Sequence, residues 1–498
     1  MKNKEILFLR RTAATLAALL LCVALCGCGF IEITYPGGST AESTGDTPIP
    51  GTSEAGSTAA LTDPPTTVVF PDRISEAEAK LDALPELSFT AHDLIIANSA
   101  ATSGVFEPEE DDALNSARTR RTEMACEKYG IEISVVSAAD DEMLSEFIMA
   151  DKSGSYYADF AVIPAASAAG YYNAGIALNL RSLPFVELSG DPTSPEGAGI
   201  AGSACYFYCG AATLDPDSVW ALYFNRTLAG AQLTDSLYRT ALGSAGLSWE
   251  DLFTAVSACA LPDGVYSAVS GTLSTADFVA DAVCASFGVD FVSADAGGAP
   301  YVAYDEQKYT AAGEMISRLA GILYLPADEN SKDPLGVFAD GGALFRFGSL
   351  SDIRSLYNKK TEWGILPLPR ADATAGNVTV CGADRPVILY AGGGSRLELC
   401  GAALAAMDAA SGAWLCDAYA DAAFDSCLRD NNSYLTLRAI LDGSVEFDFS
   451  ALYSGATDKL ISATYGAARA QLRGGTPLSA AVKEAKSAAD RELSRLFG

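Results

Sequence analysis

Three short apolar runs decide the fold of this chain: FTAHDLIIA at Phe89–Ala97, IEISVV at Ile131–Val136 and YADFAVI at Tyr157–Ile163. Their apolar or alternating character predicts strands. Between them, Glu107–Tyr129 begins acidic, ends basic and is followed by a glycine, which indicates a helix. Asp140–Ala150 is a second predicted helix, with its large apolar residues on one face. Strands that alternate with helices predict an α/β fold with a parallel sheet.

The same alternation continues along the chain. Further candidate strands are Val219–Phe224, Phe278–Phe287, Gly342–Phe347, Trp363–Leu366 and Pro386–Tyr390. Asp458–Phe497 is expected to be almost entirely helical. The chain beyond Ile74 is long enough to form two lobes with large cores.

The first 27 residues have the pattern of an export signal. Lys2, Lys4, Arg10 and Arg11 form a basic start, and the apolar run Thr12–Leu25 follows. A basic start, a short apolar run and small residues at its end predict a secretory signal peptide. The apolar run is too short for an ordinary membrane span.

Leu25-Cys26-Gly27-Cys28 resembles the lipobox of bacterial lipoproteins. The resemblance implies that residues 1–27 are removed and that Cys28 carries a diacylglycerol thioether. The expected location is therefore the cell membrane, with the protein lipid-anchored on its extracytoplasmic face. A simple membrane-anchored signal is the alternative.

Residues 28–74 read as a disordered tether. Tyr35–Val69 consists largely of Gly, Ser, Thr, Pro, Ala and Asp. Such a stretch buries too little apolar surface to offset the entropy lost on ordering. Residues 75–498 are then the folded body.

Charge and residue usage exclude several function classes. The chain has 33 basic and 63 acidic residues, a formal charge of −30, which argues against nucleic acid as a partner. The cysteines beyond Cys28 lie mostly in Ala-rich helical sequence and read as small core residues, with disulfides as an open alternative. His92 is the single histidine, so the usual imidazole ligand sets are missing. We expect neither metal nor cofactor.

Several segments, in this order, resemble the extracellular solute-binding proteins of ABC importers, in the branch that handles mostly carbohydrates. They are Leu84–Leu87, Asn115–Glu123, Glu127–Ile131, Asp159–Pro164, Leu178–Pro184, Trp220–Arg226, Ser248–Leu252, Phe338–Phe345, Trp363–Pro369 and Arg429–Tyr434. Two departures from the family pattern are Arg121, where the pattern has Asn, and Phe224, where it has Tyr.

The resemblance implies a two-lobed, type II periplasmic-binding-protein-like fold with a hinge and a cleft between the lobes. Lobe one would be about 88–222 and 346–400, and lobe two about 223–345 and 401–498. The chain would cross the hinge near Ala221–Phe224, near Phe345–Ser349 and after Leu399. It further implies a monomer that captures a solute, a sugar or oligosaccharide, and delivers it to an ABC permease.

Sugar sites combine aromatic platforms with polar side chains. Ligands of open α/β sheets lie beyond the carboxyl ends of strands. These two rules select Asn98 and Ser99 after the first strand and Tyr171 and Tyr172 after the third. The expected contacts near the hinge are Trp220, Phe347 and Ser349.

We find no nucleophile elbow, phosphate loop or dinucleotide fingerprint in the sequence. No catalytic residue is therefore assigned, and the chain is expected not to be an enzyme. A surface glycosidase or other carbohydrate-active lipoprotein is the first alternative, because two carboxylates suffice for glycoside hydrolysis. A binding or sensory lipoprotein without a transporter is the second.

Overall fold

A computed structural model of the chain describes residues 73–106, 113–188, 204–244, 246–259, 267–270, 273–295, 297–324, 333–371, 379–380, 385–443, 445–446, 450–454 and 456–497. The predicted signal peptide, Cys28 and the tether as far as residue 72 lie outside these ranges. The first described helix begins at Ile74, where the predicted tether ends.

The strands are, in chain order, β1 (Asp93–Ser99), β2 (Glu132–Ala138), β3 (Phe160–Pro164), β4 (Trp220–Asn225), β5 (Ser267–Ser270), β6 (Val292–Ala294), β7 (Pro300–Val302), β8 (Leu323–Tyr324), β9 (Ala343–Ser349), β10 (Trp363–Leu366), β11 (Thr379–Val380), β12 (Pro386–Tyr390) and β13 (Val445–Glu446).

The α-helices are α1 (Ile74–Ala83), α2 (Ala113–Tyr129), α3 (Asp140–Ser153), α4 (Ala168–Asn173), α5 (Arg226–Ala241), α6 (Trp249–Ala258), α7 (Leu273–Ser286), α8 (Glu306–Ala320), α9 (Pro334–Ala339), α10 (Asp352–Leu356), α11 (Leu397–Ala410), α12 (Ala413–Ser426), α13 (Asn431–Leu441), α14 (Ala451–Ser454), α15 (Asp458–Ser462), α16 (Tyr465–Leu472) and α17 (Leu478–Phe497).

The first sheet has the strand order β12-β3-β1-β2. Strand β1 is parallel to β2 and to β3, as the alternation of strands and helices predicts, and β12 is antiparallel at the edge. One face of the sheet packs with α1, α2 and α11, and the other packs with α3. This sheet and these helices, together with α4, form what we call the first lobe.

The second sheet has the order β10-β4-β9-β5-β8. Strands β5, β8 and β9 are parallel, whereas β4 runs antiparallel to both β9 and β10. Helices α7, α8, α16 and α17 pack together beside it, and α12 and α13 contribute to the apolar cluster on its other face. We call this part of the chain the second lobe. Helix α12 contacts both lobes, since it packs with α2 of the first lobe and with α13 of the second.

The prediction of a strand at Phe278–Phe287 is wrong, because these residues belong to helix α7 and its end. Phe278, Val279, Ala280, Val283 and Cys284 are all buried. A short apolar run looks the same in a buried strand and a buried helix, and here the alanines continue it long enough for a helix.

The passage between the sheets also differs from the expected one. Ala221–Phe224 and Phe345–Ser349, the predicted crossings, pair with each other inside the second sheet. The chain leaves the first sheet after Tyr208, which bridges to Ile388 of β12, and reaches the second sheet at Trp220. We call residues 209–219 the crossing segment. The range 346–400 predicted for lobe one contains β10, a strand of the second sheet.

Candidate functional site

Asn98 and Ser99 lie at the carboxyl end of β1, as predicted, and both are fully buried. The Thr102 hydroxyl lies 3.2 Å from Asn98 Oδ1 and 3.1 Å from the Ser99 carbonyl oxygen. The turn that follows the strand therefore covers both residues and uses their polar atoms.

Tyr171 and Tyr172 are neighbours on α4 but have different surroundings. Tyr171 is buried, its hydroxyl lies 3.3 Å from the Asp140 carbonyl oxygen, and its ring meets Phe147 edge-on at 6.1 Å. Tyr172 is half-buried, with its ring centroid 5.5 Å from that of Phe497 on α17. Tyr171 thus packs inside the first lobe, whereas Tyr172 joins the first lobe to the second.

More aromatic rings surround the contact between Tyr172 and Phe497. Tyr206 lies 5.0 Å from Tyr172, and Tyr453 lies 5.1 Å from Phe497, both in edge-on geometry. Such pairs add to the stabilisation that comes from their buried area. The two lobes are therefore in direct apolar contact in this arrangement of the chain.

The three residues predicted near the hinge do come together on the second sheet. In the pairing of β4 with β9, Trp220 lies opposite Ser349 and Leu222 lies opposite Phe347. Phe347 is fully buried against Trp249, with ring centroids 5.9 Å apart. The hydroxyl oxygens of Ser349 and Ser351 are 2.6 Å apart.

Trp220 has an unusual environment for a tryptophan. Its ring stacks on Phe278, with centroids 3.5 Å apart and planes 16° from parallel. Its Nε1 atom is buried and has no hydrogen-bond partner among the described residues. A buried tryptophan N–H almost always finds a partner, so this donor needs an explanation.

A cluster of ionic groups surrounds the crossing segment. Asp217 Oδ2 accepts hydrogen bonds from Arg354 Nη2 at 2.9 Å and from Arg118 Nη2 at 3.3 Å. Asp217 Oδ1 accepts one from the Tyr419 hydroxyl at 2.8 Å. Arg118 also pairs with Asp215.

A second part of this cluster joins the middle of β9 to the start of α10. Arg346 Nη2 is 2.8 Å from Asp352 Oδ2. Burial raises the pKa of the Asp352 carboxyl above its usual value, and the charge of Arg346 opposes that shift. The Tyr223 hydroxyl donates to the Ser349 carbonyl oxygen at 2.7 Å, and burial raises the pKa of Tyr223 well above that of a free phenol. The phenol therefore remains a hydrogen-bond donor at neutral pH.

Sequence reasoning did not select this ionic cluster. The available signal was the run Asp215-Pro216-Asp217 shortly before an apolar strand, which is typical of a turn that places carboxylates near a strand end. Arg118 and Arg354 are far away in sequence and gave no such signal. Phe278, in the wrongly predicted strand, was likewise missed as the partner of Trp220.

Surface cavities in the described part of the chain lie elsewhere. One of about 320 Å³ is lined by Tyr156, Leu178 and Gly392, among others, at the edge of the first sheet where β3 begins. Another of about 570 Å³ lies between α8 and the segment that joins α16 to α17. A third, of about 450 Å³, lies between α1 and α11, and the residues selected from the sequence as ligand contacts line none of the three.

Among the described residues, no three His, Cys, Asp or Glu side chains are grouped so that they could hold a metal ion. His92 is exposed, with Nδ1 2.9 Å from the Gly130 carbonyl oxygen.

In the described part of the chain, no single helix has the length and apolar character of a membrane span. The helices Gly394–Ala410 and Ala413–Ser426, which are bent by 50° relative to each other, satisfy length and composition only as a pair.

Solved structures of similar fold exist, although no protein-family model and no curated protein matches the sequence. The cyclic alpha-maltosyl-1,6-maltose binding protein from Arthrobacter globiformis is 12% identical, with 81% of this chain and 100% of that chain covered and a TM-score of 0.51. The GacH receptor of Streptomyces glaucescens is 15% identical, with 81% of this chain and 99% of that chain covered and a TM-score of 0.49. A cyclo/maltodextrin-binding protein is 14% identical, with 82% of this chain and 99% of that chain covered and a TM-score of 0.49.

The first of these likenesses shows the fold of the chain. It is the two-lobed α/β fold of extracellular solute-binding proteins, so the fold class predicted from the sequence is confirmed. At this level of identity, the resemblance to that class of proteins is established for the fold alone. The nature of any ligand is a separate question, which depends on the residues of the site.

Proposed function

We propose that this chain is a lipid-anchored substrate-binding protein of an ABC importer, which captures a sugar or oligosaccharide between its two lobes and delivers it to a permease. The observation that carries the proposal is the environment of Trp220. This residue stands where the chain enters the second sheet from the first, with one ring face covered by Phe278 and its N–H without a partner among the described residues.

The chemistry of such a position suits a sugar. Sugar rings present flat C–H faces and hydroxyl groups, so they combine with an aromatic platform and a nearby donor. A hydroxyl oxygen of the ligand would accept the Trp220 N–H, and the Ser349 hydroxyl lies on the neighbouring strand at the register position of Trp220. Tyr172 is the proposed contact from the first lobe, because it already faces the second lobe.

The fold supports the same proposal. The protein from Arthrobacter globiformis that shares it is described as binding a cyclic maltosyl-maltose. Two lobes joined by a crossing segment can enclose a ligand by a hinge motion. Closure would then present one defined shape to a permease.

A thermal-shift screen tests the binding role. The panel is glucose, maltose, maltotetraose and cyclic alpha-maltosyl-1,6-maltose, each well above the expected dissociation constant. A ligand at 100 times its dissociation constant adds about 2.7 kcal/mol to the stability of the native state. Chromatography of the sugar after incubation should recover it unchanged, and a cleaved product would make the protein a glycosidase instead.

The lipid anchor has its own test. Cys28→Ala should move the protein from the membrane fraction to the soluble fraction, because both signal cleavage and lipidation are proposed to act at this residue. Cys26→Ala is the matched control and should remain in the membrane fraction. Membrane retention of both variants would contradict the anchor at Cys28.

A further inference from the structure

We propose that Asp217 is a positioning residue whose ion pairs hold the two lobes in their closed arrangement and so set the affinity for sugar. The inference rests on the proposed function, because it concerns the same closure of the lobes. It assigns a role to residues that are not proposed to touch the ligand.

The first argument is that Asp217 binds cations from both lobes. Arg118 lies on α2, which packs with α11 in the first lobe. Arg354 lies on α10, whose apolar residues pack in the cluster on the second sheet. Both guanidinium groups donate to the same oxygen of Asp217, Oδ2, at 3.3 and 2.9 Å.

The second argument is the place of Asp217 in the chain. It lies in the turn Pro216–Ser218, on the crossing segment, three residues before β4. The end of β9 is attached to the same segment, because the Leu350 N–H donates to the Val219 carbonyl oxygen at 2.7 Å. Asp217 therefore lies on one of the passages of the chain between the two sheets, where a rotation of one lobe relative to the other is felt.

The ion pair between Arg118 and Asp217 is largely shielded from water, which strengthens it. The side chain of Arg118 is 6% exposed and that of Asp217 is 17% exposed. Charge-assisted hydrogen bonds shielded from water are stronger than exposed ones. The Tyr419 hydroxyl, 2.8 Å from Asp217 Oδ1, fixes the orientation of the carboxylate.

In the arrangement described here the two lobes touch, since the ring of Tyr172 in the first lobe meets that of Phe497 in the second; we take this arrangement as the closed one. The complete set of bonds to Asp217 thus exists when the lobes meet. When the lobes separate, Arg118 and Arg354 change position relative to each other, so an oxygen shared by both cannot keep both bonds unchanged. This difference between two arrangements is what allows a residue to shift their populations.

Loss of either pair should therefore lower the fraction of closed protein and weaken sugar binding in proportion. We expect Arg354→Gln to raise the dissociation constant roughly tenfold, within the usual range of coupling between two sites. Asp217→Asn should have a similar or larger effect. The double variant should be no weaker than Asp217→Asn alone, since Arg354 acts through that carboxylate.

The matched control is Arg469→Gln. Arg469 pairs with Asp281 at 2.7 Å inside the second lobe, and its side chain is 31% exposed against 35% for Arg354. The control should lose a comparable ion pair with no change in the affinity for sugar.

The experiment uses the full chain and three measurements. Calorimetry with maltotetraose, or with whichever panel sugar shifts the wild type, gives the dissociation constant. X-ray scattering without sugar gives the radius of gyration, which should be larger in Arg354→Gln and Asp217→Asn than in the wild type and in the control. Thermal unfolding checks that the half-buried Arg354 can be replaced without loss of the fold.

The outcomes separate this inference from the proposed function. A wild-type radius of gyration in both Arg354→Gln and Asp217→Asn overturns the inference, whatever the sugar result. If no panel sugar stabilises the wild type, the binding proposal fails as stated, and the scattering of the sugar-free variants still decides the role of Asp217. A loss of sugar affinity in Arg469→Gln equal to that in Arg354→Gln would also overturn the inference about Asp217, because the effect would then not depend on the crossing segment.

Discussion

The carboxylate of Asp159 is completely buried and forms a two-point ion pair with Arg396. Arg396 Nε lies 2.6 Å from Oδ1, and Nη2 lies 2.9 Å from Oδ2. The Ile95 N–H also donates to Oδ2, at 3.0 Å. Asp159 precedes β3, Ile95 is on β1 and Arg396 precedes α11, so one carboxylate connects two central strands with the helix that covers them.

We predict that Arg396→Met strongly destabilises the protein. The substitution keeps much of the side-chain volume but leaves a buried carboxylate without its cation, which typically costs about 3–5 kcal/mol. Arg120→Met is the control, because Arg120 on α2 is 46% exposed and lies 3.6 Å from Glu123; loss of such a pair costs about 0–1 kcal/mol. Urea unfolding at pH 7 measures both. Equal losses in the two variants would contradict a structural role for the buried pair.

Gly401 allows α11 to approach the backbone of another segment closely. A Cβ atom built at Gly401 would lie 2.1 Å from the Pro184 carbonyl oxygen. Alanine normally favours a helix over glycine by about 1 kcal/mol. We predict that Gly401→Ala instead destabilises by about 1–3 kcal/mol, because the turn at Pro184 must move away.

The control for this prediction is Gly170→Ala in α4. There the new Cβ would lie 3.7 Å from Leu144 Cδ2, an ordinary contact. This variant should be neutral or more stable than the wild type. Thermal unfolding of both variants decides the matter, and a stabilised Gly401→Ala would show that the close approach is absent in solution.

The strand and helix pattern of the first lobe could be predicted because local sequence determines it. The runs at 89–97, 131–136 and 157–163 are apolar or alternating and are separated by helices with clear ends, and the structure places β1, β2 and β3 there. The prediction of a strand at Phe278–Phe287 failed because an alanine-rich apolar run has no periodicity that separates strand from helix. The crossing segment could not be located, since only the pairing of β4 with β9 shows that both predicted crossings lie inside one sheet.

The candidate site was harder to predict, because burial depends on the whole fold. Phe347 and Ser349 were selected as neighbours of a hinge, and the structure makes Phe347 a fully buried core residue beside Trp249. Phe347→Ala is therefore expected to lower stability by about 3–5 kcal/mol rather than to leave the fold intact. Trp220 is the selected residue whose buried side-chain donor lacks a partner among the described residues.

Burial should protect two cysteines from alkylation. Burial raises the pKa of the Cys400 thiol, next to Asp159, and it raises that of Cys416 to about 12. The thiolate is the reactive form, and a raised pKa lowers its fraction at any given pH, so both thiols should react with iodoacetamide at pH 8 only after unfolding. The half-buried Cys126 should react earlier. Peptide mass spectrometry after timed labelling checks the order, and early labelling of Cys416 would contradict its burial.

The last prediction separates the two contributions of Trp220 to sugar binding. Trp220→Phe keeps an aromatic ring on Phe278 but removes the indole N–H, so it should weaken binding by about 0.5–1.5 kcal/mol, the value of a typical hydrogen bond. Trp220→Ala also removes the ring and should cost about 1–3 kcal/mol more, as for a base stacked on an aromatic side chain. Trp363→Phe is the control, because Trp363 Nε1 donates to the Leu356 carbonyl oxygen at 3.2 Å. It should lower the melting temperature and leave the dissociation constant unchanged. Calorimetry with the sugar that stabilises the wild type measures all three, and wild-type affinity in Trp220→Ala would mean that this ring belongs to the core.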